Sequence, residues 1–190
     1  MTEITFYEKD LKDIAGSQEI VDMYAKYQLP DYDTLIQELE KCGITLDEDP
    51  SENNLSDLNM KIAKIDAQKA RASVIANLAT ANENELEMIM SRAQSLLDHE
   101  SNKLLLSAEI KVLPNKELRE AAVNVVLYHL RTLVSAIKSS LSRAKTFSKM
   151  VSNSVSMLDS ANKNISRQIT VLQLQLGLGE IGRGINPHTF

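Results

Sequence analysis

From Val123 to Leu176 apolar and small residues recur at alternating steps of three and four: Val123, Leu127, Leu130, Val134, Ile137, Leu141, Ala144, Ser148, Val151, Val155, Leu158, Asn162, Ile165, Ile169, Leu172 and Leu176. Only Ser148 and Asn162 are polar members of this seam. A 3.5-residue repeat on a 3.6-residue helix keeps one seam against a partner through a slow left-handed supercoil, so the pattern predicts one coiled-coil helix roughly 80 Å long. A helix of that length outruns any compact domain of 190 residues. Its seam must therefore meet another chain or a second long helix of its own. With Leu127 at heptad position a, Asn162 also falls at a, where a buried amide is expected to fix register. Val126, Leu133, Phe147 and Ala161 fall at g and widen the apolar face, which predicts a multi-helix bundle or ring. The positions assigned to subunit assembly are Leu127, Leu130, Val134, Ile137, Leu141, Val151, Val155, Leu158, Asn162 and Ile165.

The partner helix is visible upstream. Between Ser51 and Leu113 there is neither Gly nor Pro, and helical spacing begins with Leu55, Leu58, Ile62 and Ile65. Ala63, Ala67, Ala70, Ala72, Ala76 and Ala79 follow, small residues of high helix propensity that let a neighbour approach closely. The polar stretch Thr80 to Glu87 suggests a break or kink before Leu86, Ile89, Ala93 and Leu97 resume the stripe. Pro114 calls for a turn, Asn115 is placed to cap the next helix, and Glu117 and Glu120 complement its dipole. Gly177 is the expected C-cap of the coiled-coil helix.

Residues 1–50 are more irregular. Leu11, Ile14, Val21 and Tyr24 have approximate helical spacing, and a second short helix is capped by Asp31 or Asp33 and closed near Gly43. The fold class is thus all-α: a long helical hairpin or coiled-coil domain (51–176), a small N-terminal helical unit (1–50) and a Gly-rich tail (177–190), joined to the unit by a solvated linker at Asp47 to Asn54.

Composition narrows this without changing it. Apolar residues make up 43% and aromatics only 4%, with no Trp, which suits thin helical bundles better than a sheet core. Cys42 is the one cysteine, so no intrachain disulfide is possible and burial is its expected fate. No run reaches the ~18 apolar residues of a membrane span, and Glu3, Glu8 and Asp10 interrupt any signal-peptide pattern. A soluble cytoplasmic protein is expected.

Charge changes the picture more. Residues 1–54 carry 14 acidic and 4 basic side chains, whereas residues 55–190 carry 12 and 17. From residue 121 to 176 Asp159 is the single acid against Arg131, Lys138, Arg143, Lys145, Lys149, Lys163 and Arg167. Arg131, Lys138 and Lys145 all occupy e, one heptad apart, and make a positive rail with no acidic g partner. The rail faces either acids of another segment, such as the N-terminal unit, or phosphates. Ten serines between Ser135 and Ser166 add hydroxyls that suit phosphate oxygens. A second cluster, Lys61, Lys64, Lys69 and Arg71, lies on the first long helix.

The runs Ile65-Asp66-Ala67-Gln68-Lys69, Leu106-Ser107-Ala108-Glu109 and Ala136-Ile137-Lys138-Ser139, in that order and approximate spacing over residues 57–150, resemble the recombination-mediator family of T4-type phages. The resemblance implies a small, non-enzymatic, helical, ring-forming protein that binds single-stranded DNA and helps a recombinase displace single-strand-binding protein. It implies further that Lys69 belongs to a DNA-contacting helix and Ala136 to Ser139 to an assembly helix. The family's further basic pair falls here on Val74 and Ala76.

Catalytic and metal-binding chemistry finds no support in the motifs. His99, His129 and His188 are scattered, no HExxH, CxxC or phosphate-loop pattern occurs, and Gly179, Gly182 and Gly184 follow no strand. No cofactor is implied. Two functions remain: a homo-oligomeric mediator that binds single-stranded DNA through Lys61, Lys64, Lys69, Arg71, Arg131, Lys138, Arg143 and Lys145, or a structural or adaptor coiled coil, such as a phage assembly component, without a nucleic-acid role.

Overall fold

The computed structural model describes residues 6–27, 30–43 and 54–184, the last seven as backbone alone. All regular elements among them are helices, as the apolar spacing predicts. In chain order they are a 3-10 turn at Leu11–Asp13, α1 (Ser17–Lys26), α2 (Tyr32–Glu40), α3 (Leu55–Leu105), α4 (Ala108–Lys111), α5 (Lys116–Val126) and α6 (Tyr128–Gly184). The two long helices pack against one another as a hairpin. The chain divides into two compact units, Met1–Pro30 with Ala79–Phe147, and Asp31–Leu78 with Ser148–Phe190. This grouping places α1 with the first stretch of the long helices and α2 with the second.

In the first unit the core gathers Leu86, Ile89, Ala93 and Leu97 of α3 with Leu127, Leu130, Val134 and Ile137, closed by Ile14, Ile20 and Tyr27 from the N-terminal segment. Gly16 precedes α1 with φ +88°, a left-handed conformation that suits glycine. Ser17, wholly buried, turns its hydroxyl back onto the carbonyls of Leu11 and Ile14 and closes the loop ahead of the helix. Tyr24 Oη lies 2.7 Å from Ser140 Oγ and ties α1 to α6.

The heptad helix is not continuous at its start. Leu127 leaves the helical region (φ −97°, ψ 20°) between α5 and α6, although its N–H still reaches Val123 O and its carbonyl accepts from Arg131 N–H. The neighbouring Val126 carbonyl takes the Lys9 N–H at 2.9 Å instead. The N-terminal segment thus satisfies an acceptor at the interruption. Lys9 Nζ also lies 3.9 Å from the buried Glu100 carboxylate, which Lys103 approaches at 3.4 Å.

In the second unit Leu58, Ile65, Ala72 and Ile75 of α3 face Val151, Leu158 and Ile165 of α6, with Tyr32, Leu39 and Cys42 buried beside them. Asp31 caps α2 by accepting from Thr34 N–H at 3.2 Å, and the Gln68 amide donates to Gly43 O at 3.2 Å, holding the end of α2 on α3.

Two local expectations fail for physical reasons. α3 continues without interruption through Thr80 to Glu87, because Leu86 is buried while Glu87 turns outward to a lysine of α6. α6 passes Gly177 without a cap and continues to Gly184. A glycine ends a helix only where the chain has somewhere better to go. The linker expected at 47–54 lies, except for Asn54, outside the described residues, as does the tail from 185 on.

The ten positions assigned to subunit assembly are used inside the chain. Leu127, Leu130, Val134 and Ile137 are buried and Leu141 half-buried in the first unit; Val151, Leu158 and Ile165 are buried and Val155 half-buried in the second. Asn162, expected to pair between chains, donates its amide to Asp66 Oδ1 of α3 at 2.8 Å. A second long helix of the same chain meets the seam, so the seam requires no other copy.

Candidate nucleic-acid interface

The heptad register that buries a and d leaves b, c and f outward on α6, where Arg143, Lys149, Lys163 and Arg167 fall, with Arg131, Lys138 and Lys145 at the flanking e position. In the first unit Arg131, Lys138 and Arg143 are exposed. Lys145, the third member of the rail, is held by an acid: its Nζ lies 2.6 Å from Glu87 Oε1 of α3. The hydrogen bond and charge of Glu87, with Glu83 nearby, hold the Lys145 ammonium above its ordinary value of 10.5. The rail therefore meets an acid through Lys145, but from α3 rather than from the N-terminal segment. Of the described acids of that segment, Glu19 pairs with Arg92 at 2.7 Å and Glu8 lies 3.2 Å from His129.

In the second unit Lys64 and Arg71 are exposed and Lys61 is half-buried. Lys69 closes on Asp159 Oδ1 at 2.5 Å, and that hydrogen bond and charge, helped by Asp66, raise its pKa above 10.5. Asp159 is the single acid of residues 121–176, so pairing it with Lys69 leaves the outer face of α6 without a competing carboxylate.

Three further cations, Lys149, Lys163 and Arg167, are exposed there with Asn153, Ser156 and Ser160 among them. They were absent from the sequence-based site, although their signal was present. Lys149 and Lys163 share position b two heptads apart, and Arg167 lies at f. The hydroxyls contribute less than their number suggests. Ser160 Oγ donates to Ser156 O at 2.9 Å, Thr170 Oγ1 to Ser166 O at 3.0 Å, and Ser140 is engaged by Tyr24. Such back-bonding uses the proton a phosphate oxygen would need.

The second unit also holds an apolar cavity of about 300 Å³ between α2 and α6, lined by Ile36, Leu39, Cys42, Met150, Met157 and Leu158 among others. Cys42 is buried at its wall and donates its thiol to Glu38 O at 3.4 Å. Among the described residues no group of three or more His, Cys, Asp and Glu side chains is placed to hold a metal ion, and no helix is long and apolar enough to cross a membrane. His99 and His129 stand on different helices, α3 and α6, and His188 lies outside the described residues. Comparison with family models, with curated proteins and with solved structures finds no match to this chain.

Proposed function

We propose that this protein is a non-enzymatic, helical single-stranded-DNA-binding protein that assists the loading of a recombinase, and that α6 carries the phosphate contacts. The supporting observation is the outer face of α6 in the second unit, where Lys149, Lys163 and Arg167 are exposed and the only acid of the region is occupied by Lys69. Phosphates of a flexible single strand can follow cations spaced from one helical turn to two heptads apart, with affinity dominated by counterion release. Arg131 and Lys138 add a similar face within the first unit. The recombinase and single-strand-binding protein enter through the resemblance over residues 57–150.

Titration of a fluorescent oligonucleotide at several salt concentrations tests the reading. Binding at low salt should weaken steeply as salt rises. Replacing Lys149, Lys163 and Arg167 together by Gln should lower the slope of log affinity against log salt by about 2, at ~0.7 per neutralised phosphate. Lys69→Gln frees the Asp159 carboxylate beside these cations and should weaken binding at low salt, whereas Lys69→Gln with Asp159→Asn should restore it. No binding at low salt would remove the proposal.

A structural or adaptor role is the second reading, favoured by the intramolecular pairing of Lys69 and Lys145, two of the eight cations first assigned to DNA. It predicts that neither slope nor affinity responds to the triple substitution.

A further inference from the structure

Among the described residues two aromatic side chains are exposed, Tyr7 at 79% and Tyr128 at 53%. The other described tyrosines are engaged elsewhere, Tyr24 with Ser140 and Tyr27 and Tyr32 in the interior. Tyr7 and Tyr128 are far apart in the chain, yet the fold of the first unit brings them to one place. Glu8, next to Tyr7, lies 3.2 Å from His129, next to Tyr128, and the Lys9 N–H donates to the Val126 carbonyl at 2.9 Å. The Tyr128 and His129 rings meet edge to face, with centroids 5.5 Å apart. Such a contact covers at most one face of the Tyr128 ring and leaves the other for a flat partner.

The two tyrosines stand at the head of a basic stripe. Tyr128, Arg131, Ser135, Lys138, Ser142 and Lys145 follow one another along α6 at steps of three and four, and all six are exposed. Tyr128 precedes Arg131 by less than one helical turn, roughly 4.5 Å along the axis. Of the acids on this side of the unit, Glu87 and Glu83 attend Lys145, Glu8 faces His129, Asp10 lies 3.2 Å from Lys12, and Asp98 of α3 accepts from Gln94 at 2.9 Å. No ion pair among the described residues involves Arg131 or Lys138. A phosphodiester gains little from a phenol ring beside these cations, whereas any nucleobase can stack on one.

We propose that a nucleobase of the bound single strand stacks on Tyr128, flanked by Tyr7, while the phosphates beside it follow Arg131 and Lys138. The inference rests on the DNA-binding reading above and adds the residue that separates single strands from duplex. The bases of a single strand are free to stack on protein, and those of a duplex are already stacked on each other.

Oligonucleotide titration with three substitutions tests it. Tyr128→Ala should weaken binding at least about tenfold and Tyr7→Ala about fivefold, the range expected for loss of an aromatic platform, whereas Tyr128→Phe should bind as the wild type does. None of these changes removes a cation, so the slope of log affinity against log salt should stay at its wild-type value. Binding of duplex DNA, and of an abasic strand of the same length, should be unaffected. Both positions are exposed, and an unchanged helical circular-dichroism signal confirms the fold. The chain has no Trp, so Tyr128→Trp places a single fluorophore at the site. Its emission should be quenched by the oligonucleotide and not by the abasic strand. Either alanine variant binding as tightly as the wild type, an equal loss on the abasic strand, or an unquenched Trp would overturn the stacking and leave the phosphate contacts of α6 standing. A wild type that binds no oligonucleotide at low salt would overturn both readings together.

Discussion

Individual side chains differ widely in what they hold, and exposure within a single seam shows why. Ile137 has no exposed surface and meets the α3 stripe, whereas Leu176, on the same seam, is 60% exposed. Truncating a buried isoleucine removes transfer energy and leaves a cavity, so Ile137→Ala is expected to lower stability by about 2–5 kcal/mol. Leu176→Ala should be nearly neutral. Urea denaturation of the two variants separates them, and equal effects would mean that the seam near residue 176 is covered. At the same scale, the Thr34 hydroxyl and then its N–H hold the Asp31 carboxyl below its ordinary value of 3.8. A lowered carboxyl pKa stabilises the fold above the unfolded value, and the contribution disappears as pH falls through the folded one. The α2 cap thus survives mild acid.

Among the elements, local polar signals proved more legible than continuity. Asn115 caps α5 as its sequence context foretells, its side chain accepting from Leu118 N–H at 2.8 Å. Asn115→Ala should therefore cost about 1 kcal/mol, read from the urea midpoint, with Asn115→Ser close to wild type. The long helices and the heptad face were also legible, because burial imposes a period that composition cannot imitate. The interruption at Leu127 was not. It depends on the Lys9 N–H reaching the Val126 carbonyl, a contact between residues more than a hundred positions apart that leaves no periodic trace. Polarity likewise misled at Thr80 to Glu87, where acids that looked like a break serve α3 by meeting a lysine of α6. The candidate site was half legible: its cations were evident, but which of them an acid of the same chain would claim was decided by the register of α3 on α6, and that emerges only on folding.

Among the described residues, a close ion pair joins α3 and α6 within each compact unit, Lys145 with Glu87 in the first and Lys69 with Asp159 in the second. Both ammonium groups are held above 10.5 by the hydrogen bond and charge of their partners. A raised lysine pKa gives stability that is fully present below 10.5 and is lost as pH climbs through the higher folded value. Between neutrality and pH 9 these pairs should therefore contribute a constant amount, and above pH 10.5 they should fail. Both are solvent-exposed, so salt should weaken them at every pH. Comparing urea midpoints of the wild type and a Lys69→Met, Lys145→Met double variant at pH 9 and pH 11.5 isolates the effect. The wild type should lose more stability over that interval than the variant, and the difference should shrink in high salt. Parallel losses in the two proteins would mean that other groups govern the alkaline transition and that the pairs fasten the hairpin only weakly.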